Sequence, residues 1–387
     1  MVEEKENVPQ PQSGVEPVAN VRSVYAGELH PGLAISTFRN IDQLFPSSVA
    51  VRGETSIPLE VNKISLGGIH FASNASMYGL QDYLSLNRVA GLLVLKNSKI
   101  AAEKYYFGNS AQTRWMSMSV AKSISSTLVG TAIQDGCIGT IDDLLTRYLP
   151  ELKGSGYEHV SIRHLLQMTS GVRWDDTPTN PDSERRKMLD LQIAQKPGAI
   201  MRFMASLSSV AQPGTRWNYS TGETHVVGAL LRAATGRSVA QYLSEKIWSR
   251  IGMEADATWW LDSPEGLEVA GSGISATLRD YGRFGLFIMN DGVIAGEHVL
   301  PENWVLESGS PREIGGQRVE YGFMWWPVPE GSRNVGAFSA RGLFGQYIYI
   351  NPRERVVIVV WSARSMPLGS EVVEDNDFFN AVVEALK

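Results

Sequence analysis

Cysteine is nearly absent from the 387 residues, with Cys137 the single instance. No intramolecular disulfide can form from one thiol, and no cysteine-ligated metal site can be built from it. Long apolar runs are missing too; nothing approaches the ~20 consecutive apolar residues of a membrane-spanning helix. Basic residues are outnumbered, 35 Lys and Arg against 41 Asp and Glu, for a formal charge of -6. No Lys/Arg cluster interleaves with aromatics, so nucleic acid is not expected as a partner. Residues 1–20 lack the basic and apolar stretches of a signal peptide and, being rich in Pro, Glu and Gln, read as a disordered tail. Cytoplasmic residence, with no membrane partner, is the expectation that follows.

Several catalytic signatures are also missing. Without a Gly-x-Ser-x-Gly elbow, the common α/β-hydrolase arrangement is excluded. Without His-Glu-x-x-His or a comparable cluster, a zinc hydrolase is disfavoured. Gly271-Ser272-Gly273-Ile274-Ser275-Ala276 has the form of a dinucleotide-binding turn but follows no buried strand pattern, and is set aside. Neither a cofactor nor a metal is expected.

What the chain does contain is Ser119-Val120-Ala121-Lys122, opening a run of small, almost uncharged residues that continues to Ile133. In isolation, Ser-x-x-Lys recurs by chance about once in a chain of this length. Here Lys122 is the only ionisable group in a segment that reads as a helix packed on all sides. Residues three apart share a helix face, so Lys122 stands over Ser119. Desolvation there lowers the lysine pKa and leaves an amine able to take the serine proton. A second candidate, Tyr219, lies in the turn Pro213-Gly214-Thr215-Arg216-Trp217-Asn218-Tyr219-Ser220 and would supply a proton-shuttling phenol.

Hairpin patterns occur near both ends. Val89 to Tyr106 turns at Lys96-Asn97-Ser98-Lys99; Gln346–Ile350 and Val356–Trp361 flank Asn351-Pro352-Arg353-Glu354, and a closing helix follows from about Asp375 to Leu386. The fold expected is α/β of the α+β type, one antiparallel sheet drawn from both chain ends and flanked by helices, with a mostly helical insertion. The expected division is a sheet domain over residues 21–130 and 262–387 and a helical domain over 131–261. Within the latter, short helices are expected at Thr140–Leu145 and from Ser161, with longer ones at Gly222–Gly236 and Val239–Ile251. Trp174 to Gly198, polar and Pro-containing, reads as an excursion over the surface.

Taken together, Ser119-x-x-Lys122 and Tyr219 resemble the serine β-lactamase/penicillin-recognising superfamily in its class C β-lactamase and DD-peptidase branch. Asp142–Glu151, His164–Gly171, Pro213–Ser220, Thr235-Gly236, Ile251-Gly252-Met253 and Gly273–Asp280 are similar to that branch in order and spacing. Two departures stand out. Tyr219-Ser220-Thr221 replaces the usual Tyr-x-Asn, and Ala340-Arg341-Gly342 stands where Lys-Thr-Gly is usual. In these the chain is closer to 6-aminohexanoate-dimer hydrolases and family VIII carboxylesterases.

The resemblance implies a β-lactamase/transpeptidase-like fold with Ser119 as nucleophile and Lys122 and Tyr219 as the proton-transfer groups. It also implies an oxyanion hole from the backbone N–H groups of Ser119 and Leu343, with Arg341 and Gly342 beside the substrate. Trp174 and Trp217 are the pocket residues named from a larger set, Trp115, Trp259, Trp260, Trp325 and Trp326 included, near the expected site loops. The favoured activity is hydrolysis of a small ester or linear amide. A β-lactamase or D-amino-acid peptidase is the alternative, a non-enzymatic acyl-binding protein the second; a homodimer is left open.

Overall fold

The computed structural model describes residues 16–387. Its centre is a six-stranded antiparallel sheet in the spatial order Trp326–Pro327, Phe338–Gly342, Gln346–Asn351, Val356–Ser362, Val89–Lys96, Lys99–Tyr105. The two terminal hairpins meet along Val356–Ser362 and Val89–Lys96, with Val356 opposite Lys96 and Val360 opposite Leu92. Both strands are apolar and almost wholly buried, and side chains alternate between faces. Val357 and Val359 join the larger core together with Leu93 and Leu95. Val356, Ile358 and Val360 join the smaller one with Leu92, Val94 and the closing helix Asp375–Ala385. A sheet covered on both sides needs continuous apolar sequence, which is what both strands carry.

The helix Leu278–Met289 lies on the first face. A Cβ on Gly282 would come within 2.6 Å of Leu93 Cδ2, so the close approach of helix to sheet requires glycine there. A four-stranded sheet joins Ser47–Ala50, Ala257–Trp260, Ile274–Thr277 and Arg114–Met116. From its last strand the chain passes directly into Val120–Gln134, a helix buried at every residue from Val120 to Ala132. Hydroxyls in this helix are satisfied internally or by neighbouring carbonyls: Ser123 Oγ donates to Met324 O at 2.6 Å, and Ser125 Oγ to Ala270 O at 2.7 Å. The helix packs against Thr221–Thr235, whose cap Ser220 accepts from Glu223 N. No helix among the described residues is long and apolar enough to cross a membrane.

Three expectations are corrected. Thr140–Leu144 opens no α-helix, and only the short 3-10 turn Leu145–Arg147 follows: Leu144 bridges Ser161, and Ile162 N donates to Asp143 O. Asp143 instead binds Thr140 N, Arg147 and Tyr148. The tail was expected to reach residue 20, but Pro17 O accepts from Ser36 Oγ and Ala19 is buried; residues 1–15 lie outside the described residues. Finally, Trp174–Gly198 is not a surface excursion. It contains the helix Glu184–Ile193, buries Glu184, Arg185, Met188, Leu189 and Gln192, and walls the cavity that Ser119 lines.

Candidate active site

The strand Arg114–Met116 is pinned beside Ile274–Thr277, and Ser117 continues the grip, its N–H donating to Ile274 O at 2.7 Å. Met118 then adopts φ +43°, a left-handed conformation rare outside glycine, and Val120 begins the helix. This reversal leaves Ser119 at the helix N-terminus with its hydroxyl free of any capping role. One turn on, Lys122 Nζ lies 2.8 Å from Ser119 Oγ and donates to Gly271 O at 3.0 Å. The glycine-rich turn set aside in the sequence thus offers a carbonyl to the lysine. Lys122 is only 1% exposed. Burial pushes its pKa down to about 7; the Asp176 carboxylate acts upward and the Arg185 guanidinium downward.

Tyr219 reaches the same point from the turn before the Thr221–Thr235 helix, its ring centroid 5.1 Å from Lys122 Nζ. Burial holds the phenol well above its ordinary value, and Asp176 adds to this, while the Ser119 hydroxyl works in the opposite direction. The phenol is therefore protonated at neutral pH. The three residues named from sequence converge.

The edge strand Phe338–Gly342 closes the opposite side. Gly342 passes so close that a Cβ would lie 2.6 Å from Ser117 O and 3.0 Å from Met118 Cβ. Immediately after it, the Leu343 N–H makes no backbone hydrogen bond among the described residues, and neither does that of Ser119. Ala340 is fully buried and, two positions before Gly342, lies on the same strand face. Arg341 lines the cavity, its Cζ 5.4 Å from the Trp326 ring centroid and its Nε donating to Ser339 Oγ at 2.9 Å.

These groups open onto a cavity of about 680 Å³. Trp174, Trp217 and Trp326 form part of its wall, whereas Trp115, Trp259, Trp260 and Trp325 are core side chains. Tyr25, Asp176 and Arg185 line it without any sequence signal to announce them. Asp176 is fixed by Trp174 Nε1 and Thr221 N, both at 2.7 Å, and by Thr221 Oγ1 at 3.1 Å. Thr221, which replaces the usual asparagine, therefore anchors a carboxylate on the wall of the cavity that Ser119 also lines.

The family described as Beta-lactamase matches residues 87–377. The chain is 28% identical over 342 residues to 6-aminohexanoate-dimer hydrolase of Paenarthrobacter ureafaciens, covering 84% of each chain. A solved Bacillus anthracis structure, provisionally described as a 6-aminohexanoate-dimer hydrolase, superposes with a TM-score of 0.80 at 23% identity, over 92% of this chain and 93% of that one. A family VIII carboxylesterase structure gives 0.59 at 17% identity, over 77% and 92%. Both structural likenesses bear on the fold.

Proposed function

The chain belongs to the Beta-lactamase family, and from that premise we propose that it is a serine hydrolase cleaving carboxylic esters or linear amides through an acyl-Ser119 intermediate. The observation that carries this reading is the 2.8 Å contact between Lys122 Nζ and Ser119 Oγ in a buried setting that brings the lysine to about 7. Near neutral pH about half of such lysines are neutral and able to accept a proton.

In this reading Ser119 Oγ attacks the carbonyl carbon while its proton passes to Lys122 Nζ. The N–H groups of Ser119 and Leu343 hold the developing oxyanion, each such donor typically contributing about 3 kcal/mol to lowering the barrier. As the tetrahedral species collapses, Tyr219 delivers a proton to the departing alkoxide or amine and is reprotonated from Lys122. Water then attacks the acyl ester, with the same groups taking its proton, and releases the carboxylic acid and free Ser119. Trp174 and Trp217 give the acyl group an apolar wall. The substrate is a small molecule. Cytoplasmic residence belongs to the same reading.

The esterase and amidase reading is preferred to a β-lactamase because Ala340 supplies no cation where Lys-Thr-Gly would. One observation favours the second reading, namely the Arg341 guanidinium on the cavity wall. The test is intact-mass measurement after exposure to a fluorophosphonate. A single adduct that disappears in Ser119→Ala is expected, together with turnover of nitrophenyl butyrate; a full-strength adduct in the alanine variant refutes the assignment.

A further inference from the structure

Arg185 is placed where a guanidinium is costly. It lies in the first turn of Glu184–Ile193, the end of a helix that disfavours a cation, and is only 5% exposed. Its Cζ sits 4.3 Å from the Tyr25 ring centroid, and it lines the cavity. That stacking covers one face of the guanidinium and leaves its N–H edges free.

Among the described residues, no acid forms an ion pair with Arg185: Asp182 is exposed, and Glu184, Asp190, Asp175 and Asp176 are engaged elsewhere. Glu184 faces Arg173 and Lys187 at 3.7 and 3.6 Å, while Asp190 pairs with Arg22 at 2.9 Å. Asp175 accepts from Thr177 N and Asn180 Nδ2, both at 2.9 Å. Asp176 already has its three donors from Trp174 and Thr221. A buried, unpaired charge of this kind is rare unless something outside the protein completes it.

The position gives that something a role. Tyr25 Oη lies 3.5 Å from Ser272 Oγ and 3.9 Å from Met118 Sδ, so the Arg185–Tyr25 wall is separated from the Ser119 turn by one layer of side chains. We propose that Arg185 is the receptor for a carboxylate on the substrate, so that the ester or amide hydrolysed is an anionic one. Guanidinium N–H edges match a carboxylate in a paired, planar arrangement that an ammonium does not reproduce. The word substrate rests on the hydrolase reading; the anion site itself does not.

The experiment separates the two. Binding of valerate and of its uncharged amide, valeramide, is measured by calorimetry on Ser119→Ala at about pH 8, above the pKa of Lys122. Valerate should bind more tightly, and Arg185→Met should reduce the valerate-to-valeramide affinity ratio about ten- to hundred-fold, with Arg185→Lys retaining part of it. In the active protein, the kcat/KM ratio of mono-nitrophenyl glutarate to nitrophenyl butyrate should fall in parallel. If Arg185→Met does not fold, as judged by its melting transition, the same ratios in Arg185→Lys decide. An unchanged ratio, or one lost only in Arg341→Met, overturns the proposal. Absence of ester turnover with the binding ratio intact overturns the hydrolase reading and leaves the anion site standing.

Discussion

The buried lysine sets a quantity that two independent assays can read. Lys122 moves from an ordinary 10.5 to about 7 because folding strips water from its ammonium. At about 1.4 kcal/mol per pH unit, the difference corresponds to about 5 kcal/mol against the charged form. Between pH 7 and 10.5 the unfolded chain holds a proton at Lys122 that the folded chain has lost. The penalty is therefore fully present below 7 and relieved as pH rises towards 10.5. Replacing Lys122 by methionine, similar in length and uncharged, abolishes this dependence. Relative to wild type, Lys122→Met should be about 3 kcal/mol more stable at about pH 6 than at about pH 9.5, after 2.5 pH units of relief in the wild type. Losing the bond to Gly271 O lowers the gain at both pH values, and because any change of that bond with protonation is already contained in the lysine pKa, the difference between them is the measured quantity. Denaturant unfolding of both proteins at the two pH values gives it directly. The same amine must be neutral to act as base, so kcat/KM for nitrophenyl butyrate should fall tenfold per unit on an acid limb centred at about 7. A pH-independent stability gap together with an acid limb above about 9 would refute the assignment of a neutral catalytic lysine.

Tyr219→Phe should lower turnover by about two to four orders of magnitude, the usual range for a lost proton-transfer group. The Lys122→Ala/Tyr219→Phe double variant should be little worse than the more damaging single one, because members of one catalytic unit are not additive; multiplicative losses in stopped-flow assays would separate the two residues. Gly342→Ala forces a methyl group to within 2.6 Å of Ser117 O, so it should cost about 1–3 kcal/mol of stability and depress kcat more than it raises KM. Full activity in that variant would show that the edge strand yields freely. Nitrocefin should be cleaved about ten- to hundred-fold less efficiently than a short nitrophenyl ester, reflecting the missing charge-assisted hydrogen bond at Ala340. Comparable kcat/KM values would mean that Arg341 restores the anion contact, and the β-lactamase reading would then lead.

The parts of the site legible in the sequence are those set by local geometry or carried on extended motifs. Ser119 and Lys122 are one helical turn apart, so their contact needs only that the segment be helical and buried, and its uncharged composition says both. The two terminal hairpins show plain turn chemistry, and their joining into one sheet follows from continuous apolar strands. The Tyr25 wall was invisible because its contacts span from 93 to 247 residues of sequence, and no local pattern records such a meeting. Trp174–Gly198 was misread for a different reason. A polar, charged stretch looks the same whether it faces bulk water or lines a cavity, and here Asp176 and Arg185 do the latter. Thr140–Leu145 was expected to be helical, but pairing of its backbone with residues 160–163 satisfies the Leu145 N–H and the Ile141 and Asp143 carbonyls sideways.

The departures from the usual family motifs divide chemistry from recognition. Gly342 cannot change without moving the strand away from the Ser119 turn, since its missing Cβ is what admits Ser117 O and Met118 to contact. Lys122 is equally constrained, because its Nζ is held between Ser119 Oγ and Gly271 O. Thr221 holds Asp176, Ala340 withdraws a cation, and Arg341 returns one on an aromatic wall. With Arg185 on Tyr25 and Arg341 beside Trp326, the cavity carries two guanidinium groups set against aromatic rings, Arg341 also tied to Ser339 Oγ through its Nε. A pocket built this way uses aromatic surface both to bury an acyl chain and to hold its cations in place. Its selectivity therefore lies in the distance between the scissile carbonyl and the substrate's own negative charge, which a series of dicarboxylic half-esters of increasing length would reveal as a single optimum in kcat/KM.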